Sequence, residues 1–110
     1  MRRIVLIAAA LCAIGCGAPN IASECTMNGF GNGQCSFTNT GTAAGSACGK
    51  IVVMKNDGTD KKESSTFCSG SVDPKSTSKV EFTVILDGLC NSGDLGTAWS
   101  DVCGFEFLAQ

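Results

Sequence analysis

The 110-residue chain has no histidine and no tyrosine. Lack of histidine removes the commonest general base and with it every Ser-His-Asp or Cys-His arrangement. Lack of tyrosine removes a further proton donor. Arginine occurs only at positions 2 and 3, and the lysines form no stripe, so no nucleic-acid footprint is present. No Cys-x-x-Cys pair occurs, and with no histidine the set of close-spaced zinc ligands is missing. Beyond residue 16, no stretch keeps a helical period through eight residues without Gly or Pro. These absences lead to the expectation of a chain that is not an enzyme and uses no cofactor and no metal.

What the chain does have starts at its N-terminus. Met1-Arg2-Arg3 precedes the uncharged run Ile4-Val5-Leu6-Ile7-Ala8-Ala9-Ala10-Leu11-Cys12, which closes on Ala13-Ile14-Gly15 before Cys16. A basic start, a short apolar centre and small residues at the cut are the parts of a secretory signal, and the run is too short for a comfortable membrane span. With a cysteine at the cut, it resembles a bacterial lipoprotein signal. That resemblance implies lipidation at Cys16, with palmitate-type acyl chains holding the protein to a membrane. Residue 13 is Ala where such signals most often carry Leu. Gly17 and Ala18 follow Cys16 in place of an Asp, which by the same resemblance implies the outer membrane of a bacterial cell envelope. A secreted, unlipidated product is the alternative, because Ala13-Ile14-Gly15 also suits ordinary signal peptidase.

The expected organisation is a signal peptide over 1–15, a tether over 16–23 and one small domain over 24–110. Loss of Arg2 and Arg3 would leave six lysines against ten carboxylates, a net charge of −4. That balance does not favour electrostatic docking on anionic lipid. The membrane partner would be held by the lipid itself.

Eight cysteines stand at 12, 16, 25, 35, 48, 68, 90 and 103. Cys12 leaves with the signal. If Cys16 takes the lipid, six remain in an exported domain, the arithmetic of three disulfides. Without lipidation the count is odd. Domains this small often need such staples.

The remaining pattern is one of short strands and turns. Gln34-Cys35-Ser36-Phe37-Thr38-Asn39 alternates, with Cys35 and Phe37 on one face. Cys48-Gly49-Lys50-Ile51-Val52-Val53-Met54-Lys55 is β-branched and apolar on both parities at its centre, which predicts a central strand. Asn56-Asp57-Gly58-Thr59 reads as a hairpin turn, with a polar return strand over 61–67. Val72-Asp73-Pro74-Lys75-Ser76 reads as another turn. Val80, Phe82, Val84 and Leu86 share one face of a strand over 80–86, and Phe105 and Phe107 share one face of the last strand. The sum is an all-β antiparallel sandwich or barrel.

Residues 34–87 carry a second resemblance. Cys35-Ser36-Phe37-Thr38-Asn39-Thr40-Gly41, Asn56-Asp57-Gly58, Val72-Asp73-Pro74-Lys75-Ser76 and Val80-Glu81-Phe82-Thr83-Val84 look like immunoglobulin-like domains of bacterial envelope lipoproteins. In the FxLYD-like subgroup, Phe, Leu and Tyr precede the Asp-Gly turn; this chain has Val52-Val53-Met54-Lys55-Asn56 there. The resemblance implies a small immunoglobulin-like β-sandwich and carries no function with it.

Spacing suggests a sequential disulfide pattern. Cys48 and Cys68 lie almost symmetrically about the Asn56–Thr59 turn. Cys25 and Cys35 bracket the loop with Gly29, Gly31 and Gly33, and Cys90 and Cys103 bracket the Gly-rich final loop. The rival is an inter-sheet bond such as Cys35–Cys90.

Candidates for chemistry are few. Asp94 and Asp101 flank Trp99 as a formal carboxylate pair. Asn56-Asp57-Gly58-Thr59-Asp60 is rich in oxygen but lacks the length and closing acid of a calcium loop. Gly29, Gly31 and Gly33 have no strand–helix context for phosphate. The residue that stands out for binding is Trp99, the single tryptophan, in a loop that Cys90 and Cys103 would brace. Its competing role is to fold back as a cap on the core, and Phe30 faces the same choice. The expected function is a non-catalytic, lipid-anchored envelope protein with a structural role or an unknown protein partner. The alternative is a secreted, disulfide-rich binding module or small inhibitor that uses the 90–103 loop.

Overall fold

A computed structural model describes residues 2–6, 17–91 and 98–110. The strands are β1 (Arg2–Leu6), β2 (Asn20–Met27), β3 (Asn32–Asn39), β4 (Cys48–Lys55), β5 (Lys61–Glu63), β6 (Phe67–Cys68), β7 (Thr77–Thr83) and β8 (Cys103–Ala109). A 3-10 turn over Trp99–Asp101 precedes β8. All strand pairings are antiparallel. One sheet runs β1-β2-β3-β7; in the other, β4 is central, with β5 and β6 along one edge and β8 along the other. The fold is the expected all-β sandwich.

The two sheets meet through phenylalanine. Phe37 on β3 and Phe82 on β7 come from one sheet, Phe67 on β6 and Phe107 on β8 from the other. Phe37 meets Phe107 edge-on at 5.7 Å, Phe67 stacks on Phe82 at 5.7 Å, and Phe67 lies 5.8 Å from Phe107. Edge-on and offset contacts of this kind add to the burial of the rings themselves. Ile21, Ile51, Val53 and Val84 are buried around them. The β4 strand follows its sequence: Ile51 and Val53 point into the core, and Val52 is buried as well.

Three disulfides staple the sandwich: Cys25–Cys35, Cys48–Cys68 and Cys90–Cys103. The pairing is the sequential one, not Cys35–Cys90. Cys25 stands directly across from Cys35 between β2 and β3, and Cys48 directly across from Cys68 between β4 and β6. Both pairs have their Cα atoms 4.0 Å apart, as side chains of directly opposed residues in antiparallel strands can be. Closing loops of this length contributes roughly 3 kcal/mol each in the chain-entropy picture.

Three boundaries differ from the sequence reading. Residues 20–23, expected in the tether, belong to β2, because Ile21 and Ser23 are buried against the core. The strand expected over 80–86 begins at Thr77 and ends at Thr83, although Val84 and Leu86 keep the inward face. The return strand over 61–67 is broken into β5 and β6. Val52 pairs with Glu63 and Gly49 with Phe67, so three steps along β4 face four on the returning chain. That extra residue is a bulge. Ser64 fills it: its N–H donates to Ile51 O at 2.9 Å, and its Oγ accepts from the Ile51 N–H at 2.9 Å. Ser69 repeats the device on Ala47, with 2.8 Å and 3.0 Å bonds.

Arg2–Leu6, inside the segment expected to be a leader, lies along β2 in the register Arg2↔Glu24 to Leu6↔Asn20. Cys16 and residues 7–15 lie outside the described residues.

Candidate interaction surface

Gly17, Ala18 and Pro19 mark one end of the sandwich. The Thr42 N–H donates to Ala18 O at 3.0 Å, and the Ala18 N–H donates to Thr42 Oγ1 at 3.3 Å. From there β2 runs eight residues away from the segment that follows Cys16. At about 3.4 Å per residue, it carries the chain roughly 24 Å to the opposite end.

Three segments remote in sequence meet at that far end. The first is the 28–31 turn. Asn28 Oδ1 accepts from the Phe30 N–H at 2.9 Å and from the Asn32 N–H at 3.1 Å, an Asx-type clamp that fixes the turn around Phe30. Gly31 has φ +89°, a left-handed value open to glycine. The second is the stretch after β7. Val84 donates its N–H to Gly31 O at 2.7 Å, which brings residue 85 beside residue 30. The chain then turns at Asp87 (φ 50°) and Gly88 (φ 79°), and the Leu89 N–H donates to Leu86 O at 2.9 Å. The third is the 3-10 turn, tied down by Cys90–Cys103 and by the Asn56 N–H, which donates to Val102 O at 2.8 Å.

Trp99 is half-buried. Its ring lies 6.1 Å from Phe105, and it covers Gly29 closely enough that a Cβ there would sit 2.8 Å from Cδ1. Trp99 thus packs between a glycine and a phenylalanine and serves as a cap on this end of the core. Large apolar side chains presented to water at this end are Phe30, 84% exposed, and Ile85, 69% exposed. Of the six phenylalanines, four form the central cluster and Phe105 packs under Trp99, so Phe30 has no counterpart in the core.

The other positions singled out in the sequence are placed as follows. Asp101 is exposed on the 3-10 turn, and Asp94 lies outside the described residues. Asp57 closes the β4–β5 turn on itself, its carboxylate accepting from the Thr59 N–H at 3.0 Å and Thr59 Oγ1 at 2.7 Å; those bonds hold its pKa below the usual carboxylate range. Cys25, Cys35, Cys48, Cys68, Cys90 and Cys103 are all bonded to one another.

Comparison with family models, with curated proteins and with solved structures found no match to the chain.

Sequence reasoning missed Ile85. Its signal was present: Val80, Phe82, Val84 and Leu86 occupy one parity, and Ile85 is the aliphatic residue on the other. An apolar residue on the polar parity of a strand end is a surface residue in want of an explanation.

Proposed function

We propose that this chain is a non-catalytic protein of the bacterial envelope, anchored through lipid on Cys16, with a protein-interaction role. The observation that carries this reading is the closed cysteine arithmetic of the domain. Its six cysteines pair among themselves, so the domain itself makes no use of the cysteine at the expected cut. The domain also begins immediately behind that cut, with Ala18 already bonded to Thr42. A single acyl chain holds a protein only marginally, so stable anchoring calls for two or more on the same cysteine. Localisation at the outer membrane rests on Gly17 and Ala18 alone.

The deciding experiment is metabolic labelling with radioactive palmitate in a bacterial host. Label in the mature protein, lost in Cys16→Ser, is the expected result. Mature protein with no label, or label that survives Cys16→Ser, would overturn the anchor. A soluble, secreted binding module or inhibitor is the second reading, favoured by the Cys90–Cys103 bond, which joins the residues at the two ends of the 90–103 segment.

A further inference from the structure

We propose that the slot between β2 and β8, filled by Arg2–Leu6 in the uncut chain, is a docking site for an extended strand of a partner protein once the leader has left. The strand it takes runs antiparallel to β2, lacks proline and carries Lys or Arg in register with Glu24. The proposal deepens the interaction role above; it rests on removal of the leader and does not need the lipid.

The leader itself is the first observation. Its strand pairs with β2 in the antiparallel register Arg2↔Glu24 to Leu6↔Asn20 and lies beside β8 of the other sheet. The slot therefore accepts a strand and sets its direction. The edges are the second observation. Natural sheets blunt an open edge with short strands, lysine, proline or bulges. β5 is three residues long, Lys61-Lys62-Glu63, with the Ser64 bulge behind it, and β7 carries Lys79. β2 has no Pro, Gly, Lys or Arg, and pairs with β3 from Ile21 to Met27 without a bulge. β8 has no Pro, Lys or Arg, and pairs with β4 from Cys103 to Ala109 without a bulge. The two long edges without these devices flank the same slot. β2 is also held rigidly, by Cys25–Cys35 to β3 and by the Asn20 N–H bond to Asn39 Oδ1 at 3.1 Å. A fixed edge loses little freedom when a strand is added, and main-chain hydrogen bonds then supply affinity.

Register and charge separate the occupants. Glu24 is exposed and pairs with none of the described lysines; the cation level with it on the sheet is Lys79, two strands away across Ser36. The leader sets Arg2 in register with Glu24. A second copy docked β2 against β2 has no Lys or Arg to set there in any register. Its antiparallel run would also place the two Cys16 positions at opposite ends of the pair. A partner strand with a cation at that position meets neither difficulty.

The test uses mature protein, released by detergent from the envelope of bacteria that express the full chain. The probe is the leader strand as a capped peptide, acetyl-Arg-Arg-Ile-Val-Leu-amide, at millimolar concentration. The Thr40 N–H donates to Asn20 O, so the backbone groups of 20, 22 and 24 face β3 and those of 21 and 23 face the slot. With the peptide, hydrogen exchange should slow about tenfold at Ile21 and Ser23 and stay unchanged at Ala22 and Glu24. A peptide N-methylated at its valine, which takes the place of Val5 opposite Ile21, should give no protection. A peptide with Arg2→Glu should bind about threefold more weakly, the size of a cross-strand charge pair, and Glu24→Lys in the protein should reverse that order. Glu24 is exposed, and unchanged disulfide mapping reports that the variant is folded. No protection at 21 and 23, equal protection at all four, indifference to N-methylation, or a charge order that does not reverse would each overturn the proposal. The mass of the protein's N-terminal peptide reads the anchor separately. A cut chain without lipid that still takes the peptide sinks the anchor and keeps the docking site. A lipidated chain that does not take it sinks the docking site alone, and a chain that keeps Arg2–Leu6 sinks both.

Discussion

Gly29 lies against the indole of Trp99, with no room between them for a methyl group: a Cβ on residue 29 would stand 2.8 Å from Cδ1 and 3.3 Å from Cγ. Trp99 is the single tryptophan, so its fluorescence reports this contact without interference. In Gly29→Ala the indole must shift from its place between residue 29 and Phe105. The expected outcome is a red-shifted emission maximum and a loss of about 1 kcal/mol from overpacking. An unshifted spectrum would mean that the indole does not cap this end of the core.

Asn39 ends β3 fully buried, and all of its side-chain amide is used. Nδ2 donates to Ala43 O at 2.8 Å and to Val72 O at 2.9 Å; Oδ1 accepts from the Asn20 N–H at 3.1 Å and the Gly41 N–H at 2.9 Å. One side chain therefore ties the start of β2 to the 40–47 and 72–76 loops. Asn39→Ala leaves three part-buried backbone groups, the Asn20 and Gly41 N–H and the Ala43 carbonyl, without this partner, each costing about 1–3 kcal/mol if no water reaches it, while Val72 O keeps the Gly45 N–H. Denaturant unfolding should register a loss of at least about 3 kcal/mol. Asn39→Asp should fare no better, because a carboxylate oxygen would face the carbonyls of Ala43 and Val72.

Ser64 and Ser69 occupy equivalent places along the edge of β4. Each donates its hydroxyl to the next carbonyl, Ser65 O at 2.8 Å and Gly70 O at 2.7 Å, while it accepts from a buried β4-side amide. Ser64→Ala leaves the Ile51 N–H without its acceptor, and Ser69→Ala does the same to Ala47. A cost of about 1–3 kcal/mol is expected for each. Hydrogen exchange should show faster amide loss at 51 in the first variant and at 47 in the second. Equal, global acceleration in both would point to general destabilisation instead.

Much of this architecture was legible in the sequence. The β-branched run of β4, the alternation of Phe82, Val84 and Leu86, and the symmetry of Cys48 and Cys68 about an Asn-Asp-Gly turn each rest on local periodicity, which survives folding. What escaped was set by contacts between distant segments. Asn39 reads as the polar last residue of the alternating 34–39 strand, and the approach of the 43 and 72 backbone carbonyls is what occupies its amide. Ser64 reads as a polar residue of the return strand and Ser69 as one beyond it, and only the folded edge of β4 makes their hydroxyls acceptors for the Ile51 and Ala47 amides. Trp99 drew attention by its type, yet its neighbour Gly29 lies seventy residues away. The turn at Gly31 and the end of β7 at Val84, far apart in sequence, are joined by a single backbone hydrogen bond.

Glu63 gives the domain an acid-sensitive point. Lys50 Nζ donates to Glu63 Oε2 at 2.9 Å, with Lys61 at 3.5 Å, and the Lys50 bond holds the Glu63 pKa below the usual carboxylate range. A depressed folded pKa means that the folded state binds the proton less readily than the unfolded chain. Its stabilisation is therefore present at pH values above the ordinary carboxylate range and is lost as pH falls through the folded pKa. Asp57, held down by Thr59, acts in the same direction. Both groups are exposed, so the effect is small. Lys50→Met with Thr59→Val should lower the neutral plateau of a melting-temperature profile slightly and flatten its acid limb, with little change at the acid end. NMR titration should find the Glu63 midpoint moved upward in Lys50→Met.

The pairing of Arg2–Leu6 with β2 makes processing itself measurable. The Thr40 N–H donates to Asn20 O at 2.9 Å, so Asn20 faces β3, and by antiparallel alternation so do Ala22 and Glu24. Ile21 and Ser23 then turn their backbone groups the other way, towards Val5 and Arg3. Removal of the leader would make β2 an edge strand, with the amides at 21 and 23 open and those at 22 and 24 still in the ladder. Hydrogen exchange on a chain that begins at Gly17 should therefore accelerate at Ile21 and Ser23 by about tenfold or more relative to the uncut chain, with Ala22 and Glu24 unchanged. Acceleration at all four would mean that β2 has come away from β3. No change at any would mean that β1 contributes no ladder bonds in solution, and that the edge of β2 is already the one a partner strand would meet.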